Sequence, residues 1–162
     1  MAYQREVVKK EFQTKVVEIR RVARVVAGGK RMRFRALVVS GDRGGRVGIG
    51  LKKGSDVADA VAKASAQAKK NMISVSLAEG TIPHLVQLKY KSAKILLKPA
   101  KPGTGIIAGG PVRAVVSLAG IKNITSKMLG SPNKVSNVRA TYEALKSLKS
   151  NGFNSIQSQA KN

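Results

Sequence analysis

The sequence predicts an α+β chain made of two successive small units, each a sheet with helical packing. Three observations carry this. Residues 16–51 alternate apolar and polar side chains between glycine-marked turns, the period of half-buried strands. Residues 55–72 switch to a helical period, with Val57, Val61, Ala64, Ala68 and Met72 on one stripe. After the breakers Gly80 and Pro83, strand patterns and helix patterns follow again without any internal repeat of sequence. A length of 162 residues suits one compact domain or two small ones.

The β-branched run from Val16 to Val26 predicts a strand, punctuated by Arg20, Arg21 and Arg24 and ended by the turn pair Gly28-Gly29. Lys30 to Val39 predicts the next strand. There Met32, Phe34, Ala36 and Val38 share one face, and Arg31, Arg33 and Arg35 share the other at intervals of about 6.6 Å. That cationic ladder reads either as a solvated strand face or as a phosphate contact. The lack of any interleaved acidic residue favours phosphate. Gly41-Asp42-Arg43-Gly44-Gly45 signals a hairpin turn. In the third strand, from Arg46 to Leu51, Val47, Ile49 and Leu51 face one way and Gly48 and Gly50 the other. A strand face without side chains admits a close approach, by RNA or by a packed helix. Ser55 is the expected N-cap of the following helix, with Asp56 and Asp59 in its first turn and Lys69 and Lys70 in its last.

Ser76 to Pro83 reads as a junction. Leu85–Tyr90 and Ala93–Lys98 then predict a tight hairpin carrying Lys89, Lys91, Lys94 and Lys98, closed by Pro99 and Pro102. Pro111 suits a first helical turn, Val112, Val115, Val116 and Ala119 form its apolar stripe, and Gly120 stops it. A strand over Ile121–Leu129 and a helix over Ser136–Ser150 complete the chain, with Val138, Tyr142, Leu145 and Leu148 turned inward. The expected domains are therefore 11–78 and 81–150, with residues 1–10 and 151–162 as flexible tails.

Charge narrows the function. Lys and Arg number 31 against 8 Asp and Glu, a formal net charge of +23. Residues 1–80 hold 18 basic and 7 acidic residues and residues 81–162 hold 13 and 1, so the excess belongs to both units rather than to one basic arm. A folded body so charged repels itself unless a polyanion neutralises it, which points to nucleic acid ahead of an anionic membrane surface. Three Phe, three Tyr and no Trp leave few platforms for stacking single-stranded bases. Recognition of phosphates and helix shape on folded, double-stranded RNA fits better. With no cysteine there is neither a disulfide scaffold nor a thiolate metal site. The first six residues lack the apolar run of a secretory signal, and an intracellular setting is expected.

Catalysis has little to work with. His84 is the single histidine, and Glu143 is the only acidic residue beyond Glu79. Neither a triad nor paired carboxylates nor a metal cluster is suggested, so no enzyme, cofactor or metal is expected. Gly103-Thr104-Gly105-Ile106-Ile107-Ala108 matches the dinucleotide pattern, but Lys122 and Asn123 stand where its acidic partner belongs. The loop reads instead as one that packs a helix closely on a sheet. Gly109-Gly110 at the helix start would expose amides to a phosphate or to a neighbour's carboxylate.

Two sets of residues resemble a known family. One is Gly41-Asp42, Gly44/Gly45-Arg46-Val47-Gly48-Ile49-Gly50 and Lys69-Lys70-Asn71-Met72-Ile73. The other is Gly103 to Gly110, Arg113-Ala114-Val115 and Asn137-Val138-Arg139-Ala140-Thr141. Together they resemble the bacterial-type small-subunit ribosomal protein "S-five" family over roughly residues 11–148. The resemblance implies an N-terminal double-stranded-RNA-binding-like domain, a three-stranded antiparallel sheet plus one helix, followed by a C-terminal βαβα two-layer domain. It implies a structural, cytoplasmic constituent of the small ribosomal subunit that binds 16S-type rRNA where head, body and platform meet. Contacts with the neighbours "S-four" and "S-eight" and with mRNA at the entry path follow, without self-association. The segment Val22–Arg31 resembles the family's protruding hairpin. The rRNA-contacting cations expected are Arg20, Arg21, Arg24, Lys30, Arg31, Arg33, Arg35, Arg43, Arg46, Lys52, Lys53, Lys69 and Lys70. Gly103, Thr104, Gly105 and Arg113 are expected at the interface with "S-four". A non-ribosomal RNA chaperone or nucleic-acid-compacting protein would share the charge and is the alternative.

Overall fold

A computed structural model describes residues 12–148. The expected tails lie outside these residues. Strands β1 (Gln13–Val26), β2 (Gly29–Gly41) and β3 (Arg46–Gly54) form consecutive antiparallel hairpins, and helix α1 (Val57–Lys70) follows. A short strand β4 (Met72–Ser74) then pairs with β3, giving the order β1-β2-β3-β4. The first sheet therefore has four strands where the sequence led us to expect three. Met72 belongs to β4 rather than to the helix stripe, because three residues are too few to show a period of two.

Strands β5 (Val86–Tyr90) and β6 (Ala93–Pro99) make the predicted lysine hairpin. Then come β7 (Ile106–Ile107), helix α2 (Gly110–Ala119), β8 (Ile124–Met128) and helix α3 (Lys134–Lys146). The second sheet runs β5-β6-β8-β7, with β7 parallel to β8 across the α2 crossover. Strand β7 went unpredicted, since two residues leave no pattern. Gly120 ends α2 with φ of 86°, as its sequence position predicts.

Two details of α1 differ from expectation. Its N-cap is Asp56, not Ser55, and makes no side-chain capping bond. Its buried stripe is Ala60, Ala64 and Ala68, with Val57 and Val61 only half-buried. The stripe follows from β3. A Cβ built on Gly50 would land on the carbonyl oxygen of Ala64, and one on Gly48 would land on that of Ala68. The bare face of β3 thus meets α1, not RNA, and only alanines fit where the helix backbone comes so close.

The first sheet is covered on both faces. Ala36 and Val38 of β2 pack against Ala60 and Ala64. Leu37, Val39 and Val47 face the other way and join one continuous core with Ile95, Leu97, Val112, Val115, Ile124, Val138 and Leu145 of the second unit. Helices α2 and α3 touch both sheets, so the order of layers is α1, first sheet, α2 with α3, second sheet.

The junction is sealed at the β2–β3 turn. Arg43 N–H donates to the Leu118 carbonyl (3.0 Å) and Gly45 N–H to that of Ala119 (3.0 Å), satisfying the C-terminus of α2. Asp42 holds the turn in shape. Its Oδ1 accepts from Gly44 N–H (2.8 Å) and Arg46 N–H (3.0 Å), and its Oδ2 from Arg46 Nε (2.8 Å). Burial pushes the Asp42 carboxyl up. The bond from the Arg46 side chain, those from the two backbone amides and the guanidinium charge outweigh it and hold the group at about 2.

Candidate nucleic-acid interface

Antiparallel register decides which cations share a face. Arg20 stands opposite Arg35, Val22 opposite Arg33, Arg24 opposite Arg31, and Lys53 on the far side of Arg35. Residues directly opposite point to the same side. The predicted ladder of Arg31, Arg33 and Arg35 is therefore one rail of a wider cationic face that takes in Arg20, Arg24 and Lys53. A shallow concavity of about 390 Å³ lies on it, lined by Arg24, Arg31, Arg33 and Lys53 among others.

The outer part of this surface is an overhang. Pairing of β2 with β3 stops at Phe34 opposite Gly54, so Gly29 to Arg33 of β2 pair only with β1. A two-stranded ribbon projects from the body and carries Arg24, Lys30, Arg31 and Arg33, all exposed. Among the described residues no ion pair engages Arg24, Arg31, Arg33, Arg35 or Lys53, whereas Arg20 Nε lies 3.1 Å from Glu18 Oε1. Glu18, nearly buried, also lies 4.0 Å from Lys134 Nζ at the start of α3, pinning the base of the arm to the second unit. A bulge between Val16 and Glu18 turns Glu18 to that side.

The remaining predicted cations stand elsewhere. Arg21, Lys30 and Lys52 sit on the opposite face of the sheet, by the same register. Lys52 and Lys70 border a groove beside Lys63, whose ammonium is 2.7 Å from Asp59. Hydrogen bonding from Lys63, with help from the Ser55 amide, holds the Asp59 carboxyl below its ordinary value against slight burial. Lys69 is exposed at the end of α1. Arg43 is exposed on the turn, at φ of 52°. Arg46 is committed to Asp42 and lies over the Phe12 ring at 5.2 Å.

The glycine-rich segment is already occupied by the protein. Asn123 Oδ1 accepts from Gly103 N–H (3.1 Å) and Gly105 N–H (3.0 Å). Asn123, standing where a dinucleotide-binding loop would have an acidic residue, fills the amide cradle itself. Gly103 and Gly105 adopt φ of 91° and 72°, conformations that favour glycine. Thr104 and Arg113 are exposed, the latter in the first turn of α2.

Residues 12–76 match the family described as "Ribosomal protein S5, N-terminal domain", and residues 88–157 match "Ribosomal protein S5, C-terminal domain". The chain belongs to the ribosomal protein S5 family. It is 51% identical over 144 residues to the small ribosomal subunit protein uS5 of Thermotoga neapolitana, covering 89% of this chain and 81% of that one. The S5 family motifs singled out in the sequence now have structural roles. Gly48 and Gly50 seat α1. Asn137 is fully buried and donates to the carbonyls of Ser131 (2.8 Å) and Asn133 (3.0 Å), fixing the turn into α3.

Sequence reasoning missed the groove where the two units of this S5-family chain meet, about 280 Å³ in volume and bounded by Ile49, Leu51, Gln67, Tyr90 and Tyr142. Arg139 Nη1 donates to Tyr90 Oη (3.0 Å), and that bond and charge lower the Tyr90 phenol. Tyr142 Oη donates to the Asn71 carbonyl (3.0 Å), while burial and then Glu143 push its phenol up. Gln67 Oε1 caps the free Leu51 N–H at 2.9 Å. These contacts join residues up to 71 positions apart, so no local spacing could announce them.

Proposed function

We propose that the β1–β2 arm is the surface by which this chain holds ribosomal RNA, and that it acts by neutralising phosphates. Membership of the S5 family makes the chain a structural, non-enzymatic constituent of the small ribosomal subunit, in the cytoplasm, and a non-ribosomal RNA chaperone is not favoured. The observation that carries the site is the one-sided alignment of Arg24, Arg31, Arg33, Arg35 and Lys53, unmatched by any described carboxylate. Guanidinium groups suit phosphate oxygens because their fork donates two parallel bonds. The second unit turns Thr104 and Arg113 outward beside the ordered Gly103–Gly105 loop, and this is the face offered to the neighbour "S-four". "S-eight" and mRNA at the entry path are the other expected contacts.

If about 6 to 10 phosphates are engaged, affinity for a fragment of small-subunit rRNA falls by roughly 10³ to 10⁵ between 50 and 200 mM salt in filter binding. Replacing Arg31, Arg33 and Arg35 together by Gln lowers that salt slope by about 3 and leaves thermal stability nearly unchanged, since exposed charges contribute little to folding. Unaltered RNA affinity in a destabilised variant would make the ladder a structural feature and defeat the proposal.

A further inference from the structure

Among the described residues, the outer face of the second sheet is the end layer, with α2 and α3 covering only its inner face. Alternation sends Val86, Leu88, Ile95 and Leu97 inward and Lys89, Lys94, Lys98 and Lys127 outward, all four exposed. Register places these lysines together. Lys89 is directly opposite Lys94, Lys127 is opposite Leu96, and Lys94 and Lys98 flank Leu96 along β6. Four ammonium groups thus surround one half-buried leucine on a patch of about 13 by 10 Å. None of the four is in an ion pair among the described residues, and Glu143, the one acidic residue after Glu79, lies on α3, away from this face.

We propose that this lysine face is a second phosphate-binding surface, which takes the backbone of another RNA duplex and makes the chain a bridge between two RNA helices. The inference rests on the RNA-binding reading above and extends it to a unit so far given only protein neighbours. Like charges set directly opposite in a sheet repel. Lys89 and Lys94 therefore weaken the free fold and are relieved by a polyanion. Composition argues against a protein partner: four exposed lysines gathered around a single half-buried leucine are the reverse of a protein interface, whose core is depleted in charged residues and lysine above all. A single strand is disfavoured because, among the described residues, the face presents no aromatic side chain for stacking; Tyr90 is turned inward.

The test uses the full chain at 150 mM salt with two 16-base-pair RNA duplexes, one bearing a donor dye and the other an acceptor. The wild-type protein brings the dyes together and gives energy transfer. A variant with Lys89, Lys94, Lys98 and Lys127 all changed to Gln melts no lower than the wild type, and slightly higher because the Lys89–Lys94 repulsion is gone, and still binds one duplex through the arm. It loses the energy transfer, and its salt slope falls by about 3 to 4. Changing the same four positions to Arg restores both. Undiminished energy transfer and slope in the Gln variant overturn the lysine face while leaving the arm intact. Failure of the wild-type protein to bind either duplex overturns the RNA-binding reading itself.

Discussion

Asp42 occupies the β2–β3 turn with its side chain almost wholly buried and three donors aimed at its two oxygens. The turn it shapes is the one whose amides finish α2, so one carboxylate acts on the junction between the units. Its folded pKa of about 2 lies below the unfolded 3.8. The stabilisation is therefore complete above pH 4 and is lost as pH falls from about 4 to about 2. The difference corresponds to about 2 kcal/mol at neutral pH. Asp42→Asn should cost about that much in urea denaturation at pH 7, and the gap between the two proteins should close towards pH 2. A gap that stays constant through this range would show that the charge is not what stabilises the turn.

At the scale of elements, the contact between β3 and α1 is the most constrained. Gly48 and Gly50 have ordinary strand conformations, so alanine there is excluded by space alone. Gly50→Ala pushes a methyl into the Ala64 carbonyl and should destabilise the protein by about 1 to 3 kcal/mol, as overpacking does. Denaturation midpoints check this, and an unchanged midpoint would mean the helix can shift outward freely. The β1–β2 arm is built by the opposite rule. Past Phe34 it has no third strand among the described residues, its residues are exposed apart from the half-buried Val22 and Val26, and Val25 and Met32 stand open on the side away from the arginine ladder. A two-stranded ribbon gains little from its own packing. The cations on it are thus held out from the body rather than buried in it.

At the scale of the whole molecule, the two units share a core. Leu37, Val39 and Val47 of the first sheet pack into the cluster formed by Ile95, Val115 and Leu145 of the second. One contiguous core predicts one cooperative transition on heating or in denaturant. Tyrosine fluorescence, which reports the junction through Tyr90 and Tyr142, should change together with far-ultraviolet circular dichroism. Two separated transitions would show that the units unfold independently. The charge of +23 acts at this scale too, opposing the compact state until phosphates neutralise it.

By itself the sequence determined the class, the order of the long elements, the polyanionic partner and the arginine ladder. Each of these follows from a period of two or 3.6, or from a charge count, and such signals survive without tertiary context. The short strands β4 and β7 and the Ala60 stripe of α1 depended on neighbours distant in sequence. Only the tertiary structure decided that the bare glycines of β3 face a helix, that Asn123 fills the Gly103–Gly105 cradle, and that Arg46 is tied to Asp42. Register joined Arg20, Arg24 and Lys53 to the ladder and set four lysines together on the far sheet. The reason is physical: one strand fixes which of its own side chains share a face, but a surface is made by several strands, and their alignment is set where their buried faces pack.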